Sequence, residues 1–480
     1  MNKTILFFCL CFVFNKSSAQ TNSLIYKKLH TSKLPGITGP VLTGNYPVFE
    51  NRETRKGRMI NLNIIVIPAL HRDPALTPIF YFEGGPGVAA TNSASFYADS
   101  SNKYCLYHDI VLVDIRGTGK SNPLNCPSLQ IKHSLEEQFG DMYPAEAVKE
   151  CYDSLSKKAD LKQYTTTNVV KDLEEVRQWL GYGKINIYGL SYGTRVALVY
   201  MKMFPSSVES CILWSPIPTY GKMPLYHARF AQNSLEKIFT DCSNDSVCHN
   251  NFPNLAKEFN SLMQQSEKTG FRIFNPGSSQ QLSFSWNTFQ TKLRSLMYSP
   301  NGIRQIPYII HQAYIGDLKP FISLYPQARD TSNFIAEGLY LCITCSEDVP
   351  FISNKEVDPL TKGTFMGTYR IDQQRSACAQ WARGNIPNNF FDATVSKIPT
   401  LIFSGGFDPI TPTSLAKEIA SHLSNSVLIV IPQMSHTFDG LSHPECFDNI
   451  CLDFINDPFH TRSIPGCIKE MKPENYRVKE

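Results

Sequence analysis

No stretch of eighteen or more uninterrupted apolar residues occurs in the 480-residue chain, which argues against a membrane-spanning helix. A basic run of five or more is also missing, as is any basic stripe studded with aromatics. The electrostatic footprint of a nucleic-acid partner is therefore absent. The chain has no G-x-G-x-x-G, and the glycine-rich loop Glu83-Gly84-Gly85-Pro86-Gly87 is followed by no Lys-Ser/Thr pair, so phosphate cradling by that loop is disfavoured. Cys342-Ile343-Thr344-Cys345 has neither a second C-x-x-C nor a histidine pair to complete a zinc tetrahedron. It also lacks the strand-to-helix setting of a redox motif. No metal or other cofactor is expected, and there is no internal repeat or low-complexity linker.

The composition, 42% hydrophobic and 18% charged, suits a large folded core. Behind Lys3, the apolar run Ile5 to Phe14 leads to Ser17-Ser18-Ala19, the pattern of an export signal over residues 1–19. The formal charge is +4, or +2 once Lys3 and Lys16 leave with that segment. Periplasmic or secreted localisation follows as an expectation. Twelve of the fourteen cysteines lie beyond Cys9 and Cys11, an even number for an oxidising compartment. Cys242 with Cys248, Cys126 with Cys151 and Cys451 with Cys467 are the expected disulfides, although spacing alone does not fix connectivity. Cys345 is expected to join Cys378, and Cys211, inside an apolar run, to stay a buried thiol.

Strand-like runs fall at 63–68, 79–82, 110–113, 185–188 and 211–214, and helical spacing at 168–180. This alternation predicts an α/β fold, a mostly parallel sheet with helices on both faces. On the helix at 168–180, Asp172, Glu174 and Glu175 read as a solvated face. Residues 216–395 carry short helical stretches, many prolines and little strand alternation, the pattern of an inserted helical cap between sheet segments at 20–215 and 396–480. Strands resume at 400–403 and 427–431.

The chemistry is concentrated in Gly189-Leu190-Ser191-Tyr192-Gly193, which follows the strand at 185–188. A strand that turns sharply into a helix leaves no room for a Cβ two residues either side of the turning serine, hence the glycines. A serine hydroxyl is a weak nucleophile at neutral pH and needs a base, which needs an orienting acid. In this topology the order is serine, acid, histidine. Asp408, in Gly405-Gly406-Phe407-Asp408-Pro409, and His436 each follow a late strand. Asp408 also reads as a helix N-cap, but Thr411 or Thr413 can fill that role, and His443 lies farther from its strand end than His436. The backbone N–H of Tyr192 and that of Gly85, in Glu83-Gly84-Gly85-Pro86-Gly87, are the expected oxyanion donors. Asp114 and Arg116, in Asp114-Ile115-Arg116-Gly117-Thr118-Gly119-Lys120-Ser121, are expected to brace a tight loop beside the site.

Together, Gly84-Gly85-Pro86-Gly87, Asp114-x-Arg116-Gly117-x-Gly119-x-Ser121, Gly189-x-Ser191-Tyr192-Gly193-Thr194 and Asp408-Pro409-x-Thr411-Pro412 resemble the proline iminopeptidase and tripeptidyl aminopeptidase group of α/β-hydrolases. The resemblance spans most of the chain, including a C-terminal region around Cys467. It implies an α/β-hydrolase fold, a Ser191–Asp408–His436 triad, and peptide substrates that lose residues from the amino end. The chain departs from the group's pattern at Glu83, where His or Asn is common, and at Ser435, where Gly is frequent. An enzyme working from the amino end needs an anion for the substrate's ammonium, and Glu347, Asp348 and Glu337 in the cap are the candidates. Two other readings stay open, a carboxylesterase or lipase using the same triad and a non-catalytic binding protein. Oligomeric state is not legible.

Overall fold

The computed structural model describes residues 27–479 except 38, 40, 72, 74–75, 100, 131–133, 275–280, 326–334 and 460–464. The expected export signal lies outside the described residues. Among the described residues eleven strands are present: β1 (His30–Ser32), β2 (Val41–Phe49), β3 (Met59–Ile67), β4 (Ile79–Phe82), β5 (Ile110–Val113), β6 (Ile185–Leu190), β7 (Val208–Trp214), β8 (Phe271–Phe274), β9 (Gln281–Phe284), β10 (Thr400–Gly405) and β11 (Ser426–Ile431). Nine form one sheet in the order β1-β2-β3-β5-β4-β6-β7-β10-β11. β5, β4, β6, β7, β10 and β11 run parallel, and β1 to β3 add an antiparallel edge.

The parallel strands are unbroken apolar runs because helices cover both faces. On one side, Ile187, Leu213 and Ile402 pack with Val170, Leu173 and Val176, with Val196 and Tyr200, and with Leu339 and Ile343. On the other, Tyr188, Ile212 and Phe403 pack with Phe447, Ile450 and Phe454. A third cluster, including Leu235, Phe259, Phe289, Ile306 and Phe321, belongs mainly to the inserted segment. That segment also contains the β8–β9 hairpin, which the lack of alternation did not predict.

Asp172 and Glu174 are buried rather than solvated. The helix carrying them, Thr166–Leu180, starts at Thr165, whose side chain accepts from the Asn168 N–H, and stops at Gly181 in the left-handed region (φ 85°). Asp172 takes two hydrogen bonds from Arg116, at 2.6 and 2.8 Å, and a third from Arg52. Glu174 accepts from Arg177 and from the Tyr200 hydroxyl. A periodic sequence shows which face is apolar, but not that a cation from a distant loop will reach a polar position and make its burial tolerable. Arg116 therefore anchors this helix to its loop, while Asp114 braces the loop itself by accepting from Thr91, Asn63 and the Lys120 N–H.

Four disulfides are present among the described residues: Cys126–Cys151, Cys242–Cys248, Cys345–Cys378 and Cys446–Cys467. Cys446, not Cys451, is the partner of Cys467. The two candidates share the helix Glu445–Asn456, and five residues turn a helix through about 140°, so they point to different surroundings. Cys451 is a free buried thiol beside Tyr104 and Tyr188, as Cys211 is a free buried thiol in β7. No described helix is long and apolar enough to cross a membrane.

Candidate active site

Ser191 sits at the end of β6, where the backbone takes φ 53° and ψ −118° before the helix Tyr192–Met203 begins. The turn leaves no room for a Cβ two residues to either side of Ser191. A Cβ on Gly193 would lie 2.6 Å from the Phe82 carbonyl carbon, and one on Gly189 would lie 2.7 Å from the Gly193 oxygen. The Ser191 N–H donates to Trp214 O at 2.9 Å, so β7 holds the turn from the other side.

Asp408 follows β10 and His436 follows β11, two strands paired in parallel, so both loops open at the same edge of the sheet as Ser191. The loops are pinned together by Gly406 N–H to Ile431 O and Phe407 N–H to Met434 O, each 3.0 Å. His436 Nε2 lies 3.0 Å from Ser191 Oγ, and its Nδ1 lies 2.9 Å from Asp408 Oδ2. The other Asp408 oxygen accepts from the Ile410 and Thr411 N–H groups at 2.8 and 2.9 Å, and the Thr411 hydroxyl donates to Oδ2 at 2.7 Å. Burial raises the Asp408 carboxyl, but His436 and Thr411 outweigh it and hold the group below the ordinary aspartate range. The following helix, Thr413–Ser421, has Pro412 at its N-cap, so neither Thr411 nor Thr413 takes the capping role. His443 is a surface residue paired with Glu445.

Glu83-Gly84-Gly85-Pro86 lines the same cavity as Ser191, Tyr192 and His436, a space of about 830 Å³. A Cβ on Gly84 would come within 3.2 Å of the Ser191 Cβ, so this loop lies directly against the serine. Glu83 turns its carboxylate onto its own loop, accepting from the Gly84 N–H at 2.8 Å and the Ser93 hydroxyl at 3.1 Å. It thereby fixes the glycine segment. Ser435 donates from its hydroxyl to Met297 O of the inserted segment, tying the histidine loop to the helices above. The next residue, Tyr298, sets its ring edge-on to His436 at 5.5 Å between centroids.

The three cap acids separate. Asp348 and Glu337 line the cavity, whereas Glu347 is outside its lining and fully buried. Glu347 accepts from the Thr166 N–H and hydroxyl at 2.6 and 2.7 Å, and Arg195 Nη1 lies 3.8 Å away. Arg195 also donates to Asp348 at 3.0 Å. Sequence proximity placed Glu347 with its neighbours, but the helix end at 347 turns it inward.

Burial pushes the Glu347 carboxyl up to about 7, against the lowering effect of Arg195 and Thr166. Its folded value lies above the unfolded one near 4.3, so the stability it contributes is present at low pH and lost as pH rises toward 7. A Glu347→Gln variant keeps the carbonyl acceptor for Thr166 N–H and does not titrate. Its melting temperature relative to wild type should rise between pH 5 and pH 8. A difference that stays constant over that range would contradict the assignment.

Sequence reasoning missed Arg294, Arg370, His227 and Tyr298, which also line the cavity. Each is a single polar residue on a cap helix or its end, and nothing local distinguishes it from a solvated position.

Comparison with known proteins agrees with this architecture. The chain is 25% identical over 455 residues to the serine protease Hip1 of Mycobacterium tuberculosis, covering 87% of this chain and 84% of that one. It is 29% identical over 173 residues to a tripeptidyl aminopeptidase of Streptomyces lividans, covering 32% and 31% of the two chains. With a proline iminopeptidase of Neisseria gonorrhoeae it shares 25% identity over 141 residues, covering 29% and 33%. The alpha/beta hydrolase fold family matches residues 77–438, and with the sheet order and the turn at Ser191 already in place, the chain belongs to the α/β-hydrolase family.

Proposed function

We propose that this chain is an exported serine peptidase that releases residues from the amino end of peptides through an acyl-enzyme. The observation that carries the reading is the hydrogen-bonded line Ser191–His436–Asp408 at the floor of a cavity lined by residues of the inserted segment. The names of the similar proteins support a peptidase over the other hydrolases this fold carries.

In this reading His436 Nε2 takes the Ser191 proton as Oγ attacks the scissile carbonyl. Asp408 fixes the ring so that Nδ1 carries a proton and stabilises the imidazolium that forms. The N–H groups of Tyr192 and Gly85 receive the developing oxyanion. His436 then returns its proton to the leaving amine, and water attacks the acyl-serine by the reverse sequence. Residues 216–395 act as the cap. Glu337 and Asp348 receive the substrate's ammonium, and Asp348 does so while also neutralising Arg195.

A peptide phosphonate with a free amino terminus should label Ser191 at least about tenfold faster than its acetylated analogue. The modified peptide is identified by mass spectrometry after digestion. Equal labelling rates would leave a serine hydrolase with no preference for an amino end, and labelling at another residue would remove Ser191 from its role.

A further inference from the structure

The buried guanidinium groups of Arg116, Arg177 and Arg195 each face a carboxylate, Asp172, Glu174 and Asp348 respectively. This is the expected pattern, since burying a cation costs heavily unless it is paired. Arg294 and Arg370 break it. Both line the cavity above Ser191, on the helices Trp286–Leu296 and Tyr369–Ala379, and neither makes an ion pair among the described residues.

Arg294 is only 6% exposed, yet its Nε and Nη2 have no hydrogen-bond partner among the described residues. Among the described residues its one hydrogen bond is Nη1 to the Tyr298 hydroxyl at 3.4 Å, with the guanidinium 5.5 Å from the Tyr298 ring centre. Nε and Nη2 form the edge that grips a carboxylate with two parallel hydrogen bonds. This protein uses the same edge elsewhere: Arg116 holds Asp172 through Nε and Nη2. Arg370 is held by the Tyr340 hydroxyl at 2.6 Å and by Met142 Sδ, and its Nε has no partner. His227, buried on the helix Met223–Asn244, has an unpartnered Nδ1 and lies close enough to Arg294, Arg370 and His436 to feel their charge. Three helices of the inserted segment thus bring unpartnered polar nitrogens to one cavity, those of Arg294 and Arg370 being donors. Tyr298 connects them to the chemistry, touching Arg294 on one side and the His436 ring on the other.

We propose that Arg294 and Arg370, with His227 beside them, form a subsite for a carboxylate of the substrate, so that the enzyme selects peptides carrying an acidic group near the scissile bond. The proposal rests on the peptidase reading and specifies its substrate class. Two sources supply the same chemistry, an Asp or Glu side chain and the terminal carboxylate of a short peptide. Buried donors that only a ligand satisfies give strong discrimination against analogues lacking the acceptor. The arrangement also explains why positive charge survives here at a cost in stability.

The test compares kcat/KM for free-amine peptides differing only in Glu against Gln on either side of the cleaved bond, and in a free against an amidated carboxyl end. One of these pairs should differ by at least about tenfold in favour of the carboxylate. The ratio should fall toward one in Arg294→Met and, separately, in Arg370→Met. Whichever pair shows the effect names the source. Equal rates across all pairs would overturn the subsite while leaving the peptidase reading standing.

Binding of glutarate to the Ser191→Ala protein, measured by calorimetry, probes the subsite even if no peptide is cleaved. Heat that disappears with Arg294→Met supports the subsite and would isolate a failure of the peptidase reading. No heat together with no carboxylate preference overturns the proposal. Arg294→Met removes an unpaired buried charge, so its melting temperature should not fall, and a marked fall would make Arg294 structural and overturn its assignment.

Discussion

Ser191→Ala should lower kcat for peptide hydrolysis by about 10⁶-fold, the scale seen when the nucleophile of a serine triad is removed. The expectation follows from the geometry. Ser191 Oγ is 3.0 Å from His436 Nε2, and the imidazole is set by Asp408 at 2.9 Å, so in the proposed mechanism one linked unit supplies both nucleophile and base. For the same reason His436→Ala should cost about as much as Ser191→Ala, and the double variant little more than either alone. Burst kinetics on an activated substrate, with enzyme concentration fixed by phosphonate titration of the wild type, gives the comparison. If the two losses multiply in the double variant, the residues do not act together and the linked unit is wrong.

Arg116→Met should destabilise the fold by about 3 to 5 kcal/mol. Arg116 is fully buried and makes four hydrogen bonds to the interior, two to Asp172 and one each to the carbonyls of Glu50 and Gln163 at 2.9 Å. Its removal leaves Asp172 with Arg52 alone and takes a donor from the carbonyls of Glu50 and Gln163, of which Gln163 keeps the Asn168 amide at 3.0 Å. Denaturant unfolding should show a lower midpoint, and Arg116→Met combined with Asp172→Leu should recover part of the loss because no unpaired charge remains. A midpoint equal to wild type in the single variant would show that the pair contributes no net stability. The site should feel the change as well, since the helix held by Arg116 begins at Thr166, whose hydroxyl meets the Tyr192 hydroxyl at 2.9 Å.

The parallel strands were legible because burial on both faces turns each into a short continuous apolar run, as at Ile79–Phe82 and Ile110–Val113. Of the antiparallel edge only β3 was, as the run at 63–68. Val41–Phe49 carries Gly44, Asn45 and Pro47, residues disfavoured in strands, and only pairing with Met59–Ile67 makes it one. Ser191, Asp408 and His436, which the structure brings within hydrogen-bond reach of one another, stood out in the sequence because each follows a strand in a short glycine- or proline-marked loop. Cap residues have no such marker. Glu347 looked like a cavity acid, and Arg294 and Arg370 looked like nothing at all, because which face of a cap helix meets the site is decided by packing across helices far apart in sequence.

The central claim is that this chain hydrolyses peptides from the amino end, and turnover of a matched pair of fluorogenic peptides, one free at its amino terminus and one acetylated, tests it most directly. With a short-chain ester and the Ser191→Ala protein alongside, the account predicts cleavage of the free-amine peptide, little of the acetylated one, and none of either by the variant. Ester turnover without peptide cleavage would contradict it and make the chain an esterase on the same sheet.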